Sequence, residues 1–218
     1  GYKREHGAFR WGPYSTTNGG SHYGFLENGV LYSKLWPGLA TLYVLKDGTV
    51  GMKTWDEFDI AMLPDLQFAR QNGVPIIEFD ERAGRGVPGD LVNQWGAGNW
   101  SGSADAQLRT LRGGACIVET DETRFLIYAY FSTATPSAMA RTFQAYGCSY
   151  GMLLDMNALE HTYLGLYVER EDEIHVEHMV PGMAGIDRRD SRGNLAARFI
   201  AFPDNRDLFY VMRREDTQ

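Results

Sequence analysis

The sequence contains few cysteines and no long apolar run. Its 218 residues include two cysteines, Cys116 and Cys148, which are too few for a disulfide scaffold. Each lies near a strand that we expect to be central. A bridge is possible if those strands are neighbours, but we interpret both side chains as buried free thiols. No apolar run approaches the roughly 18 residues of a membrane-spanning helix, so the sequence predicts no membrane span.

Positive charge is also scarce. Lys and Arg number 21 against 28 Asp and Glu, and the net charge of −7 argues against a nucleic-acid-binding protein. The densest group of arginines is Arg188, Arg189 and Arg192, which alternate with aspartates as in a solvated loop. No cluster has convincing metal-ligand spacing, and we predict neither a metal nor a cofactor. On a strand, His175 and His178 would face opposite sides, so we interpret them as structural.

The chain shows no linker, low-complexity segment or internal repeat. We therefore predict a single domain over residues 1–218, with residues 1–13 as an N-terminal arm. Hydrophobic residues make up 44% of the chain, enough for a sizeable core. Hairpin patterns occupy residues 40–55 and 107–132, and a short helix is predicted over residues 65–72. The predicted class is α+β, with one mixed, mainly antiparallel β-sheet core, hairpins and two main helices.

Residues 135–161 form the most informative stretch. Thr135 can cap a helix, Pro136 suits its first position, and Gly147 lies where a C-cap glycine belongs. A short apolar strand is predicted over residues 150–154. Chemistry in α/β proteins often lies at the carboxyl end of such a strand.

Four polar residues follow that strand. Asp155 and Glu160 are candidate carboxylates, His161 is a candidate proton carrier, and Asn157 is a candidate ligand-binding amide. An equally good reading of the spacing is that Asp155 and Asn157 only cap the following turn.

A glycine pair near the start of the chain marks a second candidate site. Asn18, Gly19 and Gly20 must end the preceding strand, because paired glycines permit backbone angles closed to other residues. The N–H groups freed there could bind an anion or a sugar hydroxyl, or the segment is a plain hairpin turn. His22 is either a site residue or a surface histidine.

The glycine-rich segment at 81–103 is long for a loop inside a compact domain, and such loops are often lids or binding loops. Trp95 and Trp100 within it suit stacking on a sugar ring, and equally suit simple loop packing. Glu78, in the apolar strand before the loop, faces either solvent on a sheet edge or a cleft, and we favour the edge. Farther on, Arg109 and Arg112 lie either on a solvated edge or where they hold a phosphate.

Three of these segments, in this order, are similar to the phosphodiester glycosidase family. The family has an Asn-Gly-Gly motif after an early strand, an Arg-Thr-x-x-Gly segment before a middle strand, and a helix followed by an apolar strand that ends in Leu-Asp. The resemblance covers residues 14–163, about two thirds of the chain. In this chain the glycine run that follows the family's aspartate is replaced by residues 156–161, so Asn157 and His161 are candidates to supply the lost hydrogen bonds. The matching segments here are residues 18–20, 109–113 and 138–155.

The resemblance implies a hydrolase that cleaves a sugar from a sugar-1-phosphodiester. Arg109 would hold the phosphate leaving group, and Asp155 would act at the anomeric carbon or on water. His161 or His22 would carry a proton, and Glu160 is a further carboxylate candidate.

The same resemblance implies a carbohydrate or phosphoglycan substrate, bound at Asn18, Gly19 and Gly20. Further candidate substrate contacts, from the residue pattern, are His22, Asn157, Trp95 and Trp100. It also implies an extracellular or periplasmic location. The alternative is a non-catalytic carbohydrate-binding or self-assembling structural domain on the same fold, and oligomerisation is possible in either case.

Overall fold

The computed structural model describes residues 24–92, 107–196, 198–199, 201 and 209–213. Two five-stranded sheets dominate these residues, and every strand pair in them is antiparallel. The predicted α+β class with a mainly antiparallel core is therefore confirmed, but the strands form two large sheets rather than the one that we predicted. The first sheet has the order β2-β1-β5-β3-β4 and the second β7-β6-β10-β8-β9. The strands are β1 (Phe25–Glu27), β2 (Val30–Ser33), β3 (Ala40–Leu45), β4 (Val50–Thr54), β5 (Leu66–Gln71), β6 (Pro75–Asp80), β7 (Arg85–Pro88), β8 (Thr110–Glu119), β9 (Arg124–Ala134) and β10 (Tyr150–Met156).

The two sheets pack face to face around a shared apolar core. Leu42 and Met52 of the first sheet contact a cluster that includes Ile117 and Met152 of the second. Tyr43 and its neighbours on the other face of the first sheet pack with a 3-10 helix over Phe58–Asp65. Side chains alternate between the two faces of a strand, so one strand contributes to both layers.

The principal helix, α1 (Pro136–Ala145), covers the outer face of the second sheet. The side chain of Thr135 accepts a hydrogen bond from the Ala138 N–H, and Gly147 adopts a positive φ of 74° just past the helix. Both predicted caps are confirmed. The helix approaches closely because Gly114 of β8 lacks a side chain. A Cβ there would lie 2.8 Å from Met139 and 2.9 Å from Phe143.

The helix predicted over residues 65–72 is wrong. Leu66–Gln71 forms β5, which lies between β1 and β3 at the centre of the first sheet. Its composition of Leu, Gln, Ala and Arg favours a helix, but pairing with a strand on each side overrides that preference. The 3-10 helix instead precedes this strand and ends at Asp65.

The two cysteines are not free thiols. Cys116 and Cys148 form a disulfide, with their Cα atoms 5.9 Å apart. Cys116 lies in β8, and Cys148 lies between α1 and β10, which pairs with β8 along most of its length. The sequence-based interpretation failed because it depended on strand adjacency, which the spacing of the cysteines does not reveal.

Two small hairpins follow the second sheet. The first pairs β11 (Gly165–Arg170) with β12 (Glu173–His178), and the second pairs β13 (Arg188–Arg189) with β14 (Leu195–Ala196). A short 3-10 helix at Leu159–His161 connects β10 to the first of them. Among the described residues, no helix has both the length and the apolar character needed to cross a membrane.

Candidate functional site

The candidate site begins at a bulge near the end of β10. Leu153 lies opposite Gly114 of β8, whereas Met156 lies opposite Arg112. Two residues of β10, Leu154 and Asp155, therefore occupy the space opposite the single residue 113. Such a β-bulge bends the strand and changes the direction in which its side chains point, and bulges are frequent next to active sites.

Asp155 and His161 lie side by side after this bulge. The Asp155 Oδ1 atom accepts a hydrogen bond from the Met156 N–H at 2.7 Å and lies 3.8 Å from His161 Nδ1. The same Nδ1 atom is 2.9 Å from the Met156 carbonyl oxygen. Because a carbonyl can only accept, we assign the Nδ1 proton to this hydrogen bond, which leaves Nε2 as the proton acceptor of the neutral ring. The two side chains are 19% and 27% exposed, so both remain accessible to a small molecule.

Tyr128 of β9 forms the next part of the cluster. Its hydroxyl donates to the Thr162 carbonyl at 3.1 Å. Burial, and after it the nearby Asp155 carboxylate, raises the pKa of Tyr128 to about 12. Gly113 separates these groups, since a Cβ there would lie 3.0 Å from the Tyr128 hydroxyl and 3.5 Å from the Asp155 carbonyl oxygen.

Asn157 joins the end of β10 to the start of β8. Its Oδ1 accepts a hydrogen bond from the Thr110 hydroxyl at 3.0 Å, and its N–H donates to the Leu111 carbonyl at 2.8 Å. Its φ of 78° lies in the left-handed region, which asparagine tolerates better than most residues.

Arg109 is exposed and immediately precedes Thr110, so it belongs to the same end of the sheet. Glu160 is half-buried on the 3-10 turn that carries His161.

Arg112 occupies neither of its predicted settings. It lies within β8 and is completely buried, so it is neither on a solvated edge nor open to a phosphate. Its Nε donates to the Ala134 carbonyl at 2.8 Å and its Nη2 to the Leu108 carbonyl at 3.0 Å. Its Nη1 lies 3.3 Å from the sulfur of Met156. This guanidinium therefore supports the strand end from inside the protein.

Several predicted site residues fall outside the described part of the chain. They are the early polar and glycine group and the two loop tryptophans, namely Asn18, Gly19, Gly20, His22, Trp95 and Trp100. Their roles remain predictions. Of the predicted residues that the structure describes, Asp155 and His161 lie close together, and Asn157, Glu160 and Arg109 lie at the same end of the second sheet.

Two members of the cluster had no signal in the sequence. Tyr128 is one of 12 tyrosines, and Asn72 lies in a segment predicted as helix. The Asn72 side chain donates to the Leu153 carbonyl at 2.8 Å and also to the Leu154 carbonyl, so it contacts the bulge directly. Tyr128 comes from β9 and Asn72 from the segment after β5, both distant along the chain from β10, and only the tertiary structure reveals them.

The edge position favoured for Glu78 is wrong. It lies on β6, between β7 and β10, and accepts a hydrogen bond from the Thr54 hydroxyl of the other sheet. Together with Asp90 it lines a cleft of about 260 Å³. Because β6 has a neighbouring strand on each side, the Glu78 side chain must face the other sheet or a cleft rather than a free edge.

A second polar cluster lies among the small hairpins. His178 Nε2 contacts the Asp187 Oδ2 atom, which also accepts a hydrogen bond from the Tyr163 hydroxyl at 3.2 Å. The Asp187 side chain is fully buried. This contact joins β12 to the start of β13. Among the described residues, no three His, Cys, Asp or Glu side chains group so that they could hold a metal ion.

Ionisation of Tyr128 should lower stability in alkali. Its folded pKa of about 12 exceeds the ordinary tyrosine value of 10.0, so the associated stability is complete below about pH 10 and is lost as pH rises through about pH 12. Between about pH 9 and about pH 11.5, ionisation of this tyrosine should lower the free energy of unfolding of wild type by up to about 2 kcal/mol. In Tyr128→Phe that part of the loss should be absent, as measured by urea unfolding at both pH values. An equal loss in both proteins would contradict the prediction.

Comparison with known proteins adds no family to this geometry. No protein-family model matches the chain, and no curated protein matches it. The functional argument therefore depends on the cluster itself.

Proposed function

We propose that this chain hydrolyses sugar-1-phosphodiesters, breaking the bond between the anomeric carbon and the phosphate oxygen. The observation that carries the proposal is the pairing of Asp155 with His161 at 3.8 Å on the bulged end of β10. A partly exposed carboxylate next to an imidazole is suited to stabilising a positively charged carbon and to moving a proton from water.

The leaving group explains how one carboxylate suffices. A phosphate monoester is a weak base, so its departure needs little protonation but benefits from a nearby cation. Arg109 is exposed at the start of β8, next to the Thr110 side chain that contacts Asn157. It is the candidate to hold the phosphate, and the guanidinium can do so through two hydrogen bonds.

The backbone after Asp155 supports the family resemblance despite the missing glycines. Asn157 replaces the second glycine of that run and has a φ of 78°, a conformation in which glycine is the usual residue. One turn of the kind that glycine favours is therefore present after the aspartate. Where glycine has only a hydrogen atom as its side chain, Asn157 has an amide that can form hydrogen bonds.

The reaction consumes one water molecule. The water oxygen bonds to the anomeric carbon, the carbon–oxygen bond to phosphate breaks, and one water proton is transferred, with His161 Nε2 as the candidate acceptor. The products are a free sugar and a phosphate monoester. Hydrolysis in ¹⁸O-labelled water should therefore place the label on the sugar, whereas attack at phosphorus would place it on the phosphate.

Replacing Arg109 by alanine tests the role of the cation. We expect kcat/KM on a set of sugar-1-phosphodiesters to fall about 10²-fold, because one group that stabilises the leaving charge is lost. The measurement is release of free sugar, with and without a chelator. Arg141→Ala is the matched control, since Arg141 is exposed on the outer face of α1.

Three outcomes separate the hypotheses. Turnover that depends on Arg109, with label in the sugar, supports the proposal. Absence of turnover by wild type on every diester would reject it. Saturable binding of the same compounds without turnover would favour a non-catalytic carbohydrate-binding domain.

A further inference from the structure

We infer that Asn72, in the connection between the two sheets, is a positioning residue that fixes the direction of the Asp155 carboxylate. The inference rests on the proposed function for its catalytic meaning, and on the bulge in β10 for its geometry. Asn72 immediately follows β5 of the first sheet and leads into β6 of the second, the strand that pairs with β10, on which Asp155 lies.

The backbone of Asn72 is anchored to the first sheet. Its N–H donates to the Ala40 carbonyl at 3.1 Å, and the Ala40 N–H donates to the neighbouring Gly73 carbonyl at 2.8 Å. The residue is only 9% exposed. Its side chain therefore starts from a fixed point and has little freedom to move.

The Asn72 amide contacts the bulge immediately before Asp155. Its Nδ2 donates to the Leu153 carbonyl at 2.8 Å and to the Leu154 carbonyl. A bulge interrupts the regular ladder of strand hydrogen bonds, so carbonyls at this point need another partner. One amide group supplies that partner for two consecutive residues.

These hydrogen bonds determine where the next side chain points. With the Leu153 and Leu154 carbonyls held toward the Asn72 amide, the peptide planes that lead into Asp155 are set. The carboxylate then lies where the Met156 N–H donates to it at 2.7 Å and where His161 Nδ1 is 3.8 Å away. Without the two Asn72 hydrogen bonds, the bulge could move along β10, and the Asp155 carboxylate would separate from the His161 imidazole.

The structure offers a control of similar character. Thr41 is fully buried on β3, where its hydroxyl donates to the Leu39 carbonyl at 3.1 Å and accepts from the Gln71 side chain at 2.9 Å. Thr41→Val removes these two buried hydrogen bonds of the first sheet, neither of which involves β10. Asn72→Leu removes the two donor contacts to β10 and keeps the number and branching of the side-chain heavy atoms, with two methyl groups in place of the amide oxygen and nitrogen.

The test measures kinetics and amide hydrogen exchange in both variants. In Asn72→Leu we expect kcat on a sugar-1-phosphodiester to fall about 10²-fold while KM changes less than about threefold, because positioning affects the chemical step. Exchange of the Met156 amide hydrogen should accelerate at least about tenfold relative to the amides of β8. The reason is that the Asp155 carboxylate, which accepts its hydrogen bond, would have moved. Thr41→Val should change neither quantity beyond its effect on global unfolding.

The outcomes distinguish failure of the proposed function from failure of the positioning role of Asn72. If wild type turns over no diester, the proposed function fails, and the Met156 amide still reports whether Asn72 positions Asp155. If wild type is active but Asn72→Leu retains both kcat and Met156 protection, the positioning role is wrong. Equal effects in Asn72→Leu and Thr41→Val would likewise reject it, because they would show a general loss of stability.

Discussion

Replacing Asp155 by asparagine is expected to lower kcat/KM on sugar-1-phosphodiesters about 10³-fold or more. The variant keeps the shape of the side chain but removes the negative charge that stabilises the anomeric carbon or activates water. The amide oxygen can still accept the hydrogen bond from the Met156 N–H that Asp155 Oδ1 accepts at 2.7 Å. The melting temperature should therefore remain close to that of wild type, which separates a loss of chemistry from a loss of fold.

Two further variants sharpen this test. Asp121→Asn changes an exposed aspartate in the turn between β8 and β9, at the far end of the sheet, and should leave activity unchanged. His161→Gln should lower kcat about 10²-fold, as expected for loss of a proton-transfer group. Full activity in Asp155→Asn would contradict the assignment of this carboxylate.

Replacing Arg112 by methionine is expected to destabilise the protein by about 3–5 kcal/mol. The arginine is completely buried, and its guanidinium donates to the carbonyls of Ala134 and Leu108. Methionine fills part of the volume but has no donor, so both carbonyls would lose a partner inside the protein. Thermal or urea unfolding measures the loss, which should lower the melting temperature by at least about 6 °C.

Lysine at the same position should recover only part of this stability. A single ammonium keeps the charge but cannot reproduce the planar fork that reaches two carbonyls from different nitrogens. Arg141→Met, on the exposed face of α1, controls for the change in composition and should cost less than about 0.5 kcal/mol. An Arg112→Met protein as stable as wild type would show that these buried hydrogen bonds contribute nothing net.

Local signals in the sequence determined the elements that depend on neighbouring residues. Thr135, Pro136 and Gly147 specify both ends of α1, because caps are formed within a few residues of the helix. Hairpins over β3–β4 and β8–β9 were predictable for the same reason, since their strands are close in sequence. The polar residues after β10 were also visible as an abrupt end to an apolar run.

Contacts between distant segments decided the rest. The strand β5, the Cys116–Cys148 disulfide and the burial of Arg112 all depend on which strands become neighbours, and no local pattern encodes that. The same holds for Asn72, whose amide reaches β10 across 81 positions of sequence to contact Leu153. The sequence by itself determined which residues follow the apolar strand. Only the tertiary structure decided how the Asp155 carboxylate is presented, because the bulge before it is contacted by Asn72, a side chain from the segment that joins the two sheets.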